Sequence, residues 1–167
     1  MKLAAAVTPF LFLIAPSLVN GEYFECPTGR DLDVSQVLYD DQAVCVDGAN
    51  KSGASVRNEL GLYNNNSEGK YELQLWVKNK KTGKSRVDTA WTLAVPGDYM
   101  LINEYGQLEI INKQSGVIWS RGCKTASKTT NSELVINSNG FKFLVNGSVA
   151  WRYNYRNDVE VVTCGVN

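Results

Sequence analysis

The sequence contains no histidine among its 167 residues. Histidine is the side chain best suited to proton transfer near neutral pH and a common zinc ligand, so its absence excludes His-based catalytic triads and His-ligated metal sites. The chain also lacks an excess of either charge, with 17 basic and 17 acidic residues. Because Lys and Arg contacts to phosphate supply most nucleic-acid affinity, this balance argues against tight RNA binding.

Long apolar segments are absent beyond the N-terminus, so no later segment is expected to span a membrane. Residues 1–21 have the pattern of a secretory signal peptide, in which Lys2 precedes an apolar core over residues 9–19. We therefore expect a secreted protein without membrane association or cofactor. Residues 22–167 are expected to form one domain, in which residues 124–167 could be an appended β-hairpin extension.

Cysteine is scarce, with four residues at Cys26, Cys45, Cys123 and Cys164. An even number in a secreted chain indicates two disulfides, and the wide spacing without histidine argues against a metal site. Three pairings are possible. We favour Cys26 with Cys164 and Cys45 with Cys123, because linking the chain ends constrains the unfolded state most. A Cys26–Cys123 bond would instead close an N-terminal unit.

Asn-x-Ser sequons for glycosylation occur at Asn50, Asn65 and Asn146. Asn146 is followed by Gly147, a pair typical of a tight β-hairpin turn. The sequon at Asn146 is therefore expected to be the least accessible of the three.

The local patterns predict one helix followed by short strands. Asp33 or Ser35 could cap a helix over residues 33–44, and the polar, Gly-rich residues 46–58 predict a loop. Alternating apolar and polar residues then predict strands. These strands are expected at 71–77, 87–93, 99–103, 107–112, 117–120, 133–136, 141–145, 149–153 and 159–163. The expected fold is α+β, with one N-terminal α-helix packed on a twisted antiparallel β-sheet.

A turn-like segment, Tyr63-Asn64-Asn65, is followed closely by Glu68. Together with the motif order over residues 26–123, this segment resembles the small guanyl-specific fungal ribonucleases. The resemblance implies a ribonuclease-like α+β scaffold. It also implies that Tyr63, Asn64, Asn65 and Glu68 form a vestigial base-recognition loop.

The catalytic positions of those ribonucleases are occupied by inert residues. By resemblance, the base, the acid and the phosphate-binding groups would fall on Gly61, Ala90, Tyr99 and Gln114. None of these side chains can transfer a proton near neutral pH or hold a phosphate by charge. We therefore expect no enzymatic activity.

The tripeptide Phe24-Glu25-Cys26 comes directly after the signal segment. An aromatic-x-Cys tripeptide on a catalytically dead, ribonuclease-like chain resembles the secreted effectors of powdery-mildew fungi. The resemblance implies a non-enzymatic virulence effector that is delivered into host cells. Its expected partner is a host protein, with RNA a weak ligand at best.

A repeat is also visible, since Trp91, Trp119 and Trp151 each close a hairpin-like unit. Residues 99–120 and 134–152 resemble the repeats of bulb-type mannose-binding lectins, which end in a Val-x-Trp strand. This second resemblance implies an alternative fold, an all-β β-prism of three hairpin blades. The alternative function is that of a degenerate lectin-like protein with a glycan as its partner.

The sugar-binding signature of those lectins is Gln-x-Asp-x-Asn-x-Val-x-Tyr. By resemblance it falls on two sets of five positions. The sets are Asn103, Tyr105, Gln107, Glu109 and Ile111, and then Asn137, Asn139, Phe141, Phe143 and Val145. Neither set keeps the whole signature, so mannose binding is not implied.

Overall fold

The described part of the chain consists of β-strands, with no helix. The structure is a computed structural model that describes residues 25–40, 42–50, 52–65, 70–93 and 97–163, with backbone alone at 64–65, 70–71 and 87–93. The strands are β1 (Asp31–Asp33), β2 (Val37–Tyr39), β3 (Ala43–Ala49), β4 (Ser55–Asn65), β5 (Lys70–Asn79), β6 (Ser85–Leu93), β7 (Tyr99–Ile102), β8 (Leu108–Asn112), β9 (Gly116–Arg121), β10 (Ser132–Asn137), β11 (Gly140–Val145), β12 (Ser148–Asn154) and β13 (Val159–Val162).

The strands form three antiparallel sheets, here called blades. Blade A has the order β3-β4-β5-β6, blade B the order β2-β7-β8-β9, and blade C the order β1-β10-β11-β12-β13. Each blade therefore combines one of the first three strands with a later meander. The expected α+β fold is wrong, and the architecture agrees with the alternative expectation of an all-β protein with three blades.

The helix expected over residues 33–44 is also wrong, because this segment visits the three blades in turn. Leu32, Leu38 and Val44 lie six positions apart on β1, β2 and β3, and each is fully buried in the same core. Ser35 between the first two strands has a φ of 78°, which an α-helix does not allow. The six-residue spacing thus places one core side chain on each of the three sheets.

One hydrophobic core is shared by all three blades. Its largest buried residues include Leu60 of blade A, Met100 of blade B and Trp151 of blade C. Trp151 makes edge-to-face contacts with Phe141, at a ring-centroid distance of 4.5 Å, and with Trp119, at 6.2 Å. Two of the repeated tryptophans therefore stabilise the core through aromatic packing.

Each blade has a core face and an outward face, because side chains alternate along a strand. On β8, Leu108 and Ile110 are fully buried in the core, whereas Glu109 between them lies outward and is half-buried. The three outward faces are the natural places to look for a site. Among the residues that the structure describes, no helix is long and apolar enough to cross a membrane.

The favoured disulfide pairing is wrong, since Cys26 is bonded to Cys45 with their Cα atoms 5.8 Å apart. That bond also excludes a Cys26–Cys123 link. Cys123 is itself disulfide-bonded, and Cys164 lies outside the described residues.

The reason for this pairing is the path of the chain before β1. Residues 25–29 run along the outer edge of β3, where the Ala43 N–H donates to the Glu25 carbonyl at 2.8 Å. The Cys45 N–H donates to the Gly29 carbonyl at 2.6 Å. These bonds bring Cys26 beside Cys45, so a short loop is closed instead of the whole chain.

Candidate functional site

The outward face of blade A is filled by its own side chains. Glu59 is fully buried and lies 3.1 Å from Lys78 Nζ and 3.0 Å from Arg57 Nε. Trp76 lies opposite Glu59, and its indole N–H donates to Gln74 Oε1 at 2.6 Å. Buried charges require such pairing, so the described side chains at the centre of this face contact one another.

The residues expected to recognise a base lie at one end of this blade. Tyr63 is on β4 with 36% of its surface exposed. The backbone of Asn64 and Asn65 continues the same strand, while Glu68 lies outside the described residues. The described members of the set are thus part of an extended hairpin.

The positions matched to ribonuclease catalysis are divided between two blades. Gly61 and Ala90 of blade A both lie opposite Gln74, one on each side of it. Tyr99 lies on β7 of blade B, and Gln114 is exposed in the β8–β9 turn. Only the first two of these positions are therefore close neighbours in one sheet.

The first lectin-signature set surrounds the β7–β8 loop of blade B. Asn103 Oδ1 accepts hydrogen bonds from the N–H groups of Tyr105, at 2.9 Å, and Gln107, at 3.0 Å. Its amide also donates to Glu109 Oε1 at 2.6 Å. Gln107 is 6% exposed, and Ile111 is half-buried. Asn103 therefore holds the loop together instead of offering its amide to a ligand.

The segment between blades B and C covers the same loop. The Thr125 N–H donates to the Tyr105 carbonyl at 2.9 Å, and Lys124 Nζ lies 5.8 Å from the Tyr105 ring centroid. Lys128 Nζ contacts Glu104 Oε2 at 2.6 Å. That hydrogen bond, together with the charge of Glu104, raises the pKa of Lys128. The loop is thus part of an internal interface.

The opposite end of blade B carries an exposed apolar strip that crosses its four strands. Tyr39 and Val117 are both 51% exposed, and Leu101 is half-buried on the same face. The Tyr39 and Tyr99 rings lie 6.0 Å apart, measured between centroids. Strips of this kind are typical of surfaces that contact another molecule.

In the second lectin-signature set, the positions on β11 face the core instead of the outward side. Phe141, Phe143 and Val145 lie in the core, where a sugar cannot reach them. Asn137 pairs directly with Gly140, so β10 and β11 are joined by a tight turn with a different register from the β7–β8 loop. The outward residues of β11 therefore alternate with these buried ones, and Lys142 is the first of them after the turn.

The outward face of blade C ends in an open cleft of about 460 Å³, within the size range of small-molecule sites. Four asparagine side chains, two cationic side chains and a few aromatic or apolar groups share its lining. The lining residues are Asn137, Ser138, Asn139, Phe141, Lys142, Arg152, Tyr153, Asn154, Asn157 and Val159. The signature comparison had pointed to Asn137, Asn139 and Phe141, and it missed the others.

Some of the missed residues carried a visible signal. Lys142 stands between Phe141 and Phe143, and Arg152 stands between Trp151 and Tyr153. On two strands that bury their aromatic residues, this alternation marks Lys142 and Arg152 as outward. Their position in one row could not be inferred, because it depends on the pairing of β11 with β12.

The β10–β11 turn, which borders the cleft, packs against blade A. The Asn58 side chain, fully buried, donates to the Asn137 carbonyl at 2.8 Å. Gly48 packs so closely on Ser138 that an added Cβ would lie 2.5 Å from the serine Cβ. Gly140 has a φ of 145°, and an added Cβ there would collide with the Tyr153 carbonyl. The turn is therefore held by contacts that only small residues permit.

The β12–β13 turn, which also borders the cleft, is held by hydrogen bonds. The Tyr155 N–H donates to the Asn139 carbonyl at 2.9 Å, which joins the two turns. Asn154 Oδ1 accepts from the Arg156 N–H at 3.0 Å, and the Arg156 guanidinium donates to the Ala49 carbonyl at 2.8 Å. The cleft is pre-formed, so little conformational entropy should be lost when a ligand binds.

Two cations face the cleft without a neutralising partner. Lys142 and Arg152 lie directly opposite each other on β11 and β12, and both are exposed. Neither makes a hydrogen bond or an ion pair with another residue in the described ranges. Like charges placed opposite each other on a sheet are destabilising.

The three-bladed architecture resembles that of a lectin of known structure. The Japanese Marasmius oreades lectin superposes on this chain with a TM-score of 0.51 and 16% sequence identity, covering 81% of this chain and 99% of that chain. The fold is lectin-like. No protein family and no curated protein matches the sequence.

The cleft of blade C is lined by asparagines, a serine, two cations and three aromatic or apolar residues. Its described lining contains no carboxylate or thiol, so it has no carboxylate pair for acid–base chemistry. No cluster of three or more acidic or sulfur side chains in the described ranges could hold a metal ion. Asparagine side chains carry both hydrogen-bond donors and acceptors. Here Asn137 Oδ1 accepts from the Asn139 N–H at 2.8 Å, and Asn154 Oδ1 accepts from the Arg156 N–H.

Two of the three sequons, at Asn50 and Asn65, belong to blade A, and the third, at Asn146, belongs to blade C. Asn146 and Gly147 form the β11–β12 hairpin turn, as their sequence predicts, with φ values of 50° and 75°. Asn146 Oδ1 accepts a hydrogen bond from the Thr129 hydroxyl. Asn50 Oδ1 accepts from the Ser52 N–H at 3.0 Å. Both carbonyl oxygens therefore stabilise local turns.

Proposed function

We propose that this protein is a secreted, non-enzymatic carbohydrate-binding protein whose ligand occupies the cleft of blade C. The observation that carries the proposal is the pre-formed cleft of about 460 Å³, lined by four asparagines, at the outward end of one blade of a lectin-like fold. On the outward faces of blades A and B, other side chains or linker residues contact the polar groups of the described residues.

The chemistry of the lining supports a polyhydroxylated ligand. A sugar hydroxyl both donates and accepts hydrogen bonds, and so does an asparagine amide. Asn157 is exposed at the rim, and Val159, 41% exposed, offers an apolar surface for the C–H groups of a sugar ring. Shallow polar sites of this kind bind single sugars weakly and gain strength from several contacts at once.

Secretion is part of the proposal and rests on two supports. Residues 1–21 have the composition of a signal peptide, and Cys26 and Cys45 form a disulfide. Disulfides persist in oxidising compartments outside the cytosol. Delivery into host cells and a role in virulence belong to the effector hypothesis, which rests on resemblance alone.

A glycan array followed by titration calorimetry tests the proposal. The array should show binding to a restricted set of oligosaccharides. Asn157→Ala should weaken that binding about fivefold, because a lost hydrogen bond contributes about 1 kcal/mol. Asn157→Trp should abolish binding by filling the cleft.

The matched control is Asn131→Ala, which removes an exposed asparagine outside the cleft. Binding by this variant should equal that of the wild type. Failure of the folded protein to bind any glycan would contradict the proposal, as would binding that Asn157→Trp leaves intact.

A protein partner is a second candidate, favoured by the apolar strip on blade B. Tyr39 and Val117 expose about half of their surface on that face. Exposed aromatic residues often act as anchors in protein interfaces. If a host protein binds there, Tyr39→Ser combined with Val117→Thr should abolish the complex while sugar binding is unchanged. A complex that tolerates both changes would exclude this surface.

A further inference from the structure

The cationic pair in blade C is unusual for its lack of partners. Lys142 and Arg152 are cross-strand neighbours on the outward face, and no other side chain of the described residues pairs with them. Other basic side chains beside blade C do have partners. Arg121, for example, lies 2.8 Å from Glu160 and stacks over the Trp151 ring at 4.7 Å.

Two acidic residues next to the cleft, Asp158 and Glu160, are already engaged. Asp158 Oδ1 accepts a hydrogen bond from the Tyr153 hydroxyl at 3.1 Å. Glu160 accepts from the Trp151 indole at 2.7 Å and pairs with Arg121. The positive potential of the cleft is therefore not neutralised by these neighbours, and repulsion between the two cations opposes the local strand pairing.

The cations also lie at a defined position relative to the amides. Asn137, Gly140 and Asn154 form one cross-strand row, and Lys142 and Arg152 form a row two residues further along the strands. Rows two residues apart are separated by roughly 6.6 Å. That spacing matches the breadth of one pyranose ring, from a hydroxyl at one end to a charged substituent at the other.

We infer that the ligand of this cleft is an acidic glycan. The inference rests on the proposed function. The carboxylate or sulfate of the sugar lies between Lys142 Nζ and the Arg152 guanidinium, while the asparagines bind its hydroxyls. A guanidinium presents paired N–H donors that suit either anion, and such charge-assisted bonds are the stronger class of hydrogen bond.

A polynucleotide fits the same cleft poorly. Non-specific RNA binding uses several cations along a backbone groove and aromatic rings on which bases stack. This cleft has a single cationic pair, and its rings belong to Phe141, 1% exposed, and Tyr153, 7% exposed. Rings so deeply buried leave no face for a base.

The test compares matched acidic and neutral ligands on the full mature chain. The probes are trigalacturonic acid, its fully methyl-esterified form, a sulfated galactose trisaccharide and neutral galactotriose. We expect the acid to bind at least about tenfold more tightly than its ester, since charge-assisted hydrogen bonds are worth about that factor. Comparison of the acid with the sulfated sugar then distinguishes carboxylate from sulfate.

The decisive variant is Lys142→Gln with Arg152→Gln. Its affinity for the acid should fall to that of the ester, and its affinity for the neutral sugars should not change. Without ligand, this variant should be at least as stable as the wild type at low salt, because the like-charge repulsion is removed. The control, Lys81→Gln with Lys84→Gln, removes two exposed cations from the β5–β6 turn and should leave binding unchanged.

Equal affinity for the acid and its ester would overturn the inference and leave carbohydrate binding intact. So would acid binding that survives Lys142→Gln with Arg152→Gln. A single-stranded RNA that binds more tightly than every sugar, and is lost in that variant, would assign the cations to nucleic acid instead. Absence of binding to acidic and neutral sugars alike would remove the proposed function together with the inference.

Discussion

Gln36 and Gln42 make the same contact in consecutive turns. The side-chain carbonyl of Gln36 accepts from the Asp33 N–H at 2.8 Å, and that of Gln42 accepts from the Tyr39 N–H at 3.0 Å. In each turn the glutamine N–H also donates back to the same residue's carbonyl, at 3.1 Å in both cases. These paired bonds direct the chain from one blade to the next.

Replacing both glutamines should therefore loosen the junction of the three blades. Gln36→Ala and Gln42→Ala should each lower the free energy of unfolding by about 1 kcal/mol, the usual contribution of one hydrogen bond. Urea denaturation followed by tryptophan fluorescence measures both losses. Gln114→Ala, in an exposed turn, is the control and should have no effect. Equal stability of all three variants would show that the turns need no side-chain cap.

Removing the buried carboxylate of blade A should be far more costly. Glu59→Gln removes the buried charge that contacts both Lys78, 3% exposed, and Arg57. Breaking one side of a buried ion pair costs about 3–5 kcal/mol. The loss should be visible as a large fall in the denaturation midpoint. Glu133→Gln, on the outward face of blade C, is the control. A similarly small loss of unfolding free energy in both variants would contradict the burial of Glu59 with Lys78 and Arg57.

Peptide mapping without reduction should recover the bond between Cys26 and Cys45. The remaining bond should join Cys123 to Cys164, the one cysteine of the sequence not otherwise assigned. Because the first bond spans 19 positions, replacing Cys26 and Cys45 with serine should cost about 3 kcal/mol by the loop-entropy estimate. Recovery of a Cys26–Cys164 peptide would disprove the path of residues 25–29 along β3.

The protein should not cleave RNA. The positions matched to ribonuclease catalysis hold Gly61, Ala90, Tyr99 and Gln114, and the sequence has no histidine. Incubation with guanosine-containing RNA at neutral pH should leave the substrate intact, as in a buffer control. Guanosine-specific cleavage that remains proportional to the protein through repeated purification would contradict this expectation.

Most of the later strands could be predicted from local pattern. Alternation over residues 71–77 corresponds to β5, and the expected strands at 99–103 and 107–112 correspond to β7 and β8. The hairpin turn at Asn146-Gly147 was also correctly predicted. These features depend on neighbours within a few positions, which is why sequence reasoning finds them.

The predictions failed where an element depends on distant partners. Residues 46–58 were predicted to be a loop, yet most of them belong to β3 and β4, which are paired through seven consecutive positions. The segment 33–44 suggested a helix because Asp33 or Ser35 could cap one and because Val34, Val37, Leu38, Asp41 and Cys45 could share one helical face. The six-residue spacing of Gln36 and Gln42 was better evidence for the strands. Six residues do not make whole turns of an α-helix, which repeats every 3.6 residues.

By itself, the sequence determined the alternation that buries Phe141 and Phe143 and leaves Lys142 outward, together with the Asn-Gly turn that follows. Tertiary structure alone decided that Lys142 lies opposite Arg152, that Cys26 lies beside Cys45, and that each of the first three strands enters a different blade. The physical reason is that local alternation and turn chemistry are encoded within a few residues. Strand register and partner choice instead come from the shared core, which exists only after all three sheets have assembled.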